Sequence, residues 1–441
     1  MSVGTAASIE NWDAEAFNQY VKQLGEPEWL VNLRQEAFET FEGMDWPTRK
    51  EEEWMRTDIR GFQLKKFNPP NLNAPIDPAS LSRGLLADGV DIGGQVVSLN
   101  GKTAVSSISE ELKAQGVIFG DFESVLAEHG DLVQKYLFQG EFDPNFDKFS
   151  ALHAAFFSNG MFLYVPRNVT VEQPLHFLSL LGDNGVDLAH TLIVLEEGAQ
   201  ATVLTESASL DDEKPGMHCG AIEVIVGDRA NLRFVNLQNW GEKVWHFAQQ
   251  KGCVGRDANL FWTLGALGSR LSKVNQHVAL DKPGAHCEVN GVLFTEGKQH
   301  LSYHTQQYHR APSCTSNFLY KAALQDQSRT VWRGMIKVAP GAQKTDGYQR
   351  IDNLLLTEHS RADSIPGLEI EADDVRCTHG ATTGRVDEEQ VFYAMARGFT
   401  RKEATRMIVT GFFQQVFDRI TLETVREALG HAIATRVREY E

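Results

Sequence analysis

The sequence predicts a mainly β protein with helical ends, its core a parallel β-helix. Three observations carry this. Short alternating strands dominate from about residue 162 to 375, a stretch without amphipathic helices. Within it a small-residue corner followed by a strand recurs, at Gly198-Ala199, Arg229-Ala230, Asp257-Ala258, Gly284-Ala285, Ser313-Cys314, Gly341-Ala342 and Gly367-Leu368. The second residues of these pairs lie 31, 28, 27, 29, 28 and 26 positions apart, a period that signals a solenoid. Finally, helical patterns are confined to the two ends. Strand-built repeats close their backbone hydrogen bonds with the coils above and below, which is a parallel β-helix. The uneven period implies projecting loops, and residues 207–217, with Asp211-Asp212-Glu213-Lys214-Pro215-Gly216, read as one.

The chain divides into a mainly helical region 1–148, the β-helix core 149–385 and a C-terminal helical region 386–441. In the first region Trp12, Phe17, Tyr20, Val21 and Leu24 recur at helical spacing up to Gly25. A second helix is expected from Pro27 to Gly43, and a third from Pro47 through TRKEEEWMRTDIRGF. Residues 95–99 followed by Asn100-Gly101 predict a strand entering a hairpin turn. Residues 121–138 predict another helix, and no converging polar groups suggest a catalytic cluster in this region.

At the other end Asp387 caps a helix with Glu388 and Glu389 in its first turn, and Gly398 ends it. Thr400 and Glu403 form a capping box, followed by a stripe of Ala404, Met407, Ile408, Phe412 and Val416. Thr421 is expected to cap a last helix with Leu422, Val425, Leu429, Ile433 and Val437 on one face. By pattern these helices cap the open end of the solenoid ahead of offering a groove to a partner.

Composition sets bounds. The chain has 441 residues and a formal net charge of -17, which argues against nucleic acid or an anionic membrane as partner. No apolar run approaches the ~18 residues that span a bilayer. The N-terminus has no basic start and no apolar core, so the expected location is the cytoplasm. Five cysteines, Cys219, Cys253, Cys287, Cys314 and Cys377, include no C-x-x-C pair. That argues against a disulfide framework or a closed zinc site, and the first four read as buried thiols. Without G-x-G-x-x-G or G-x-x-x-x-G-K-[ST], the chain is not expected to bind nucleotide itself, and the G-x-S-x-G elbow is missing too.

Two clusters could hold metal. In KQHLSYHTQQYHR, strand-like flanks set His300 and His304 too far apart for one ion at ~3.3 Å per residue. With His309 they read as surface or stacking histidines. The other cluster lies in residues 368–400, where strand gives way to helix. Leu368, Ile370 and Ala372 alternate with Glu369, Glu371 and Asp373 as in a half-buried strand, and Cys377 and His379 follow two residues apart. On a continuing strand both face the same way. Thiolate and imidazole suit iron and zinc, but two ligands do not complete a site.

The segments ADDVRCTHGATTGRVDEEQVFYAMARGF, VWRGMIKVAPGAQKTDGYQRIDNLLL and RKEEEWMRTDI resemble the SufB/SufD family of iron–sulfur cluster assembly proteins. The likeness runs from about Pro47 to the C-terminal helices. It implies a right-handed parallel β-helix between helical domains, and a non-catalytic scaffold in which SufD-type and SufB-type chains pair through their β-helices. Each would hold one SufC, an ABC-type ATPase that binds the ATP, through its C-terminal helices. A transient iron–sulfur cluster would be shared with SufB. His379 matches the histidine of the C-[ST]-H-G-A-T motif at the SufB–SufD interface, with Cys377 in the same motif as a further ligand candidate. Asp352, Leu354, Leu355 and Leu356 are the other interface candidates, and Phe392, Met395, Met407, Ile408 and Phe412 the SufC-docking candidates. Where SufB-type chains carry a scaffold cysteine followed by Asp, this chain has Ile351-Asp352. Where they flank the histidine with glutamates, it has Thr378 and Gly380. Both departures favour the SufD branch. The remaining alternatives are a homodimer with its own iron-binding or delivery role, and a β-helix carbohydrate-active enzyme, against which no repeating acidic ladder is seen.

Overall fold

The computed structural model describes residues 9–81 and 84–438. Its core is a parallel β-solenoid of about eight turns with helices at both ends of the chain. Each coil gives one strand to each of two sheets. The first sheet starts at an antiparallel hairpin, Gly94–Leu99 with Lys102–Ile108, continues in parallel from Leu175–Leu181 and ends at Val375–Arg385. The second starts at Ile118–Asp121, antiparallel to Gly160–Val165, and ends at Arg361–Ile370. The predicted Asn100-Gly101 turn is present, with φ of 51° and 75°.

The coils are set by their corners. Asn168, Gly198, Arg229, Asp257, Gly284, Ser313 and Lys344 all have positive φ. Each N–H donates to a carbonyl of the next coil, as Arg229 does to Arg256 (2.7 Å) and Ser313 to Gln343 (2.8 Å). Ala199, Ala230, Ala258, Ala285 and Cys314, one residue later, are wholly buried, so only a small side chain fits there. Five of the seven predicted corners sit where expected. The sixth turns at Lys344 instead, because Gln343 and Lys344 extend the loop beyond buried Ala342, and Thr345 bonds back to the Ala342 carbonyl (2.8 Å). The seventh is a correction: Gly367 lies inside strand Arg361–Ile370, opposite Met335.

Apolar side chains fill the lumen, among them Phe234, Trp262, Val289 and Phe318 in register on successive coils. A polar chain crosses it: Gln276 donates to Gln250 (3.3 Å), Gln250 to Asn236 (3.1 Å) and Asn236 to Thr205 (2.9 Å). Such a chain is tolerated in a core because each member finds a partner. Cys219, Cys287 and Cys314 are buried as expected and Cys253 partly so, all of them free. His304 and His309 are also buried, not on the surface, and burial holds both near pKa 4.

At the N-terminal end, helices Ala14–Leu24 and Glu28–Gly43 form as read, with Gly25 left-handed at φ 62°. Helix Phe122–Tyr136 is capped by Asp121. The expected third helix is absent; residues 46–63 form turns strapped across the second sheet. Tertiary partners win over local pattern there. Neutral His304 donates from Nδ1 to the Glu53 carboxylate (2.6 Å), which Arg333 also binds, while Thr57 donates to Ser302 (2.9 Å) and Trp54 is buried. Burial alone would raise Glu53, but His304, Lys273 and Arg333 bring it down to about 2.

The C-terminal helices Glu388–Met395, Arg401–Phe417 and Glu423–Arg436 do not cap the solenoid end. They lie along the outside of the first sheet, where Val409, Phe413, Val425 and Leu429 pack against Val292, Phe294, Leu319 and Leu354. The caps at Asp387 and the Thr400/Glu403 box form, but Leu422, not Thr421, precedes the last helix. Within Arg401–Phe417 the buried face is Ala404, Val409, Phe413 and Val416, rotated from the expected stripe. Among the described residues no helix is long and apolar enough to cross a membrane.

Candidate functional site

Because the helices pack along the side, the solenoid ends uncovered. Among the described residues, Arg361–Ile370 and Val375–Arg385 each have a strand neighbour on one side only. Val375–Arg385 is largely exposed, and Arg361–Ile370 is half-buried over 362–367 and exposed at its end, with Leu368 at 38% and Ile370 at 40%. The strand expected over 368–373 is met only over 368–370, as the end of a strand that starts at Arg361, and its Leu368 and Ile370 are exposed because among the described residues no further coil covers them. An unpaired parallel edge of this length exposes a row of backbone donors and acceptors.

His379 and Cys377 lie on this edge, on strand Val375–Arg385. Register places His379 over Gln349, Ala381 over Ile351 and Thr383 over Asn353. Gln349 and Ile351 are wholly buried, and Gln349 donates to the Gly367 carbonyl across the lumen (2.9 Å). The inward set of the last strand is therefore Cys377, His379, Ala381 and Thr383. Cys377 is half-buried against Ile336 and Val338, whereas His379 is exposed. Burial raises the Cys377 thiol above its ordinary range, offset in part by the Gly347 N–H. A metal would have to displace its proton. Opposite Cys377, Gly347 brings the neighbouring side chains close: a Cβ there would lie 3.2 Å from Ile336, 3.4 Å from Cys377 Sγ and 3.5 Å from His309 Nε2. His309 thus belongs to this end of the lumen, apart from His304, which the strap engages. Strand alternation carried this information, but proximity in sequence grouped the histidines otherwise.

Asp352 is on the outer face of the same sheet. It is 5% exposed and accepts from Thr382 (2.6 Å) and Arg350 (2.9 Å), with Lys321 at 3.5 Å. Burial alone would raise its carboxyl, but these bonds and charges hold it below the usual range. Leu354 also faces outward, 9% exposed beneath the C-terminal helices, while Leu355 turns inward and Leu356 packs at the helix edge. The structure therefore does not bring Asp352 and His379 to one face. Among the described residues, no three His, Cys, Asp or Glu side chains are placed to hold a metal ion. Cys377 and His379 are two groups of metal-ligand type on one strand, short of a complete site.

A second exposed surface lies on the helices. Phe392 (73%), Tyr393 (60%), Met407 (53%) and Met395 (42%) face solvent. A groove of about 790 Å³ runs between the first two C-terminal helices, with half-buried Ile408 and Phe412 in its floor. Phe412 lies under the Lys321 ammonium, 4.6 Å from the ring centroid. Tyr393 was not among the sequence candidates; its place one residue from Phe392 in the helix was the available signal.

Comparison with known proteins agrees with this architecture. The SUF system FeS cluster assembly, SufBD core domain matches residues 179–412, and the SufBD protein N-terminal region matches residues 14–177. The chain is similar to the iron–sulfur cluster assembly protein SufD of Bacillus subtilis, 30% identical over 99% of this chain and all of that one. It is also similar to iron–sulfur cluster assembly SufBD family proteins of Staphylococcus saprophyticus (28% identical over 90% of this chain and 87% of that one) and Staphylococcus haemolyticus (27% identical over 91% and 88%). With the N-terminal region, the core domain and nearly the whole length matched, the chain belongs to the SufBD family of iron–sulfur cluster assembly proteins.

Proposed function

We propose that this chain is a non-catalytic scaffold of SUF iron–sulfur cluster assembly that pairs with SufB through the open end of its solenoid. The observation that supports this is the uncovered edge formed by Arg361–Ile370 and Val375–Arg385, with His379 at the mouth of the lumen. A second β-helix adding its own end strands would satisfy the free backbone groups and bury Leu368 and Ile370. His379 and Cys377 would then face a space shared between two chains, where partner ligands complete a site for the nascent cluster. His379 must be neutral to bind iron. SufC, which binds the ATP, would dock on the C-terminal helices, on exposed Phe392 and Met395 and on the neighbouring groove of Met407, Ile408 and Phe412. Its movements on the nucleotide cycle would pull on helices that rest on Leu354, one strand from His379.

The same edge supports a second reading. A copy of this chain offers the same free backbone groups, so a two-fold homodimer with its own iron role would use one surface for both. Co-expression with SufB and SufC from one organism, purification through a tag on this chain and weighing of the complex distinguish the two. A stable complex of all three proteins is expected; a homodimer that excludes SufB would overturn the heteromeric reading.

A further inference from the structure

A cavity of about 990 Å³ lies in the N-terminal region and shares no lining residue with the C-terminal groove. Its walls are aromatic: Trp12, Phe41, Trp46 and Phe62 line it. Trp46 stands edge-to-face to Phe41 (6.3 Å between centroids) and to Phe62 (5.6 Å). The Trp12 indole is already satisfied by the Phe67 carbonyl (2.7 Å), so it offers the cavity an apolar ring.

Its charged groups are unusual for a chain with a net charge of -17. Arg49, Lys50, Arg60, Lys65 and Lys148 line it, against one lining carboxylate, Asp58, which Arg60 already binds through both oxygens. Lys50 and Lys65 are exposed, with no ion pair among the described residues. Lys148 is half-buried deeper in. It donates one hydrogen to the Met44 carbonyl (2.5 Å) and lies over the rings of Phe41 (4.8 Å) and Trp46 (5.3 Å). Two of its three hydrogens are left for other acceptors, with the Asp45 and Glu42 carboxylates near enough to attract the ammonium. An aromatic interior of small-molecule size with a few convergent polar groups is the usual form of a ligand site.

We propose that this cavity binds a small amphipathic organic anion, its apolar body against Trp46, Phe41 and Phe62 and its anionic head on Lys148 and the Lys50–Lys65 rim. Ring faces and edges accept an aromatic or an acyl body, and the cations favour a carboxylate, sulfonate or phosphate head over a neutral or cationic one. The basic rim would concentrate such anions against the negative field of the remaining surface.

Titration of the full chain with 8-anilinonaphthalene-1-sulfonate tests this. One saturable site is expected, with energy transfer from tryptophan. Lys50→Glu combined with Lys65→Glu, both exposed and remote from the core, should weaken binding about tenfold at low salt and much less at high salt. Lys148→Met and Trp46→Ala should each weaken it further, with circular dichroism checking the fold. Displacement by decanoate assigns an acyl body, and displacement by 1-naphthyl phosphate an aromatic one; displacement by neither overturns the proposal. So does a signal that survives the lysine reversals but is lost on Phe392→Ser with Met407→Ser, which would put the dye on the C-terminal groove.

Discussion

His309→Gln should make the protein less sensitive to acid. His309 is fully buried at the open end of the lumen, its Nε2 2.8 Å from Ser316 Oγ. Burial lowers its pKa to about 4, with only partial relief from the Asp346 carboxylate. In the unfolded chain the imidazole titrates near ~6.5. Between those values the unfolded state holds more protons than the folded one, so stability is complete above the unfolded pKa and is lost as pH falls toward the folded pKa. The linkage relation puts the loss from this one group at about 2 kcal/mol on going from about pH 7.5 to about pH 5. Glutamine keeps a side-chain amide for Ser316 and does not titrate. Urea unfolding of parent and variant at the two pH values, followed by tryptophan fluorescence, isolates the term, because the other groups titrate alike in both proteins. The variant should lose about 2 kcal/mol less than the parent. Equal losses, within about 0.5 kcal/mol, would refute the reasoning.

Three further outcomes are expected. Glu26→Ala should cost about 3–5 kcal/mol in urea unfolding, because it strands the fully buried Arg34 guanidinium with only the Ala155 carbonyl and the Phe157 ring; a loss below about 1 kcal/mol would show that water reaches it. Gly160→Ala should prevent a stable fold, as a Cβ there would lie 1.9 Å from the His190 carbonyl oxygen at φ 150°, and near-parent circular dichroism and melting would contradict this. Phe392→Ser with Met407→Ser should change stability by less than about 0.5 kcal/mol, since both side chains are mostly exposed, yet weaken capture of SufC in a pull-down.

The solenoid was legible because its corners have a local chemical requirement. A left-handed residue followed by a small buried one leaves a two-letter mark, and Gly198-Ala199 through Ser313-Cys314 show it. The mark fails at Gly341 and Gly367, where loop length changes and the corner shifts away from the small pair. The strap 46–63 reads as helix because its pattern is helical, while Glu53 and Thr57 answer to partners 251 and 245 positions away on the second sheet. The stripe on Arg401–Phe417 rotates for a similar reason. The surface beneath it selects Val409 and Phe413, leaving Met407 to solvent. At the site, period-2 alternation placed Cys377 and His379 on one face. It could not show that Asp352 points to the opposite face, nor that His309 borders the same end of the lumen; both depend on coil-to-coil register.

The most direct test is the visible spectrum of the proposed complex with SufB and SufC, co-expressed and purified anaerobically through a tag on this chain, compared between parent and His379→Ala. His379 is exposed and pairs by backbone alone with its strand neighbour, so the variant should assemble with unchanged mass. Iron–sulfur absorption in the parent complex, lost from the assembled variant, is the predicted result. A His379→Ala complex of the same mass that builds its cluster as well as the parent would contradict the account.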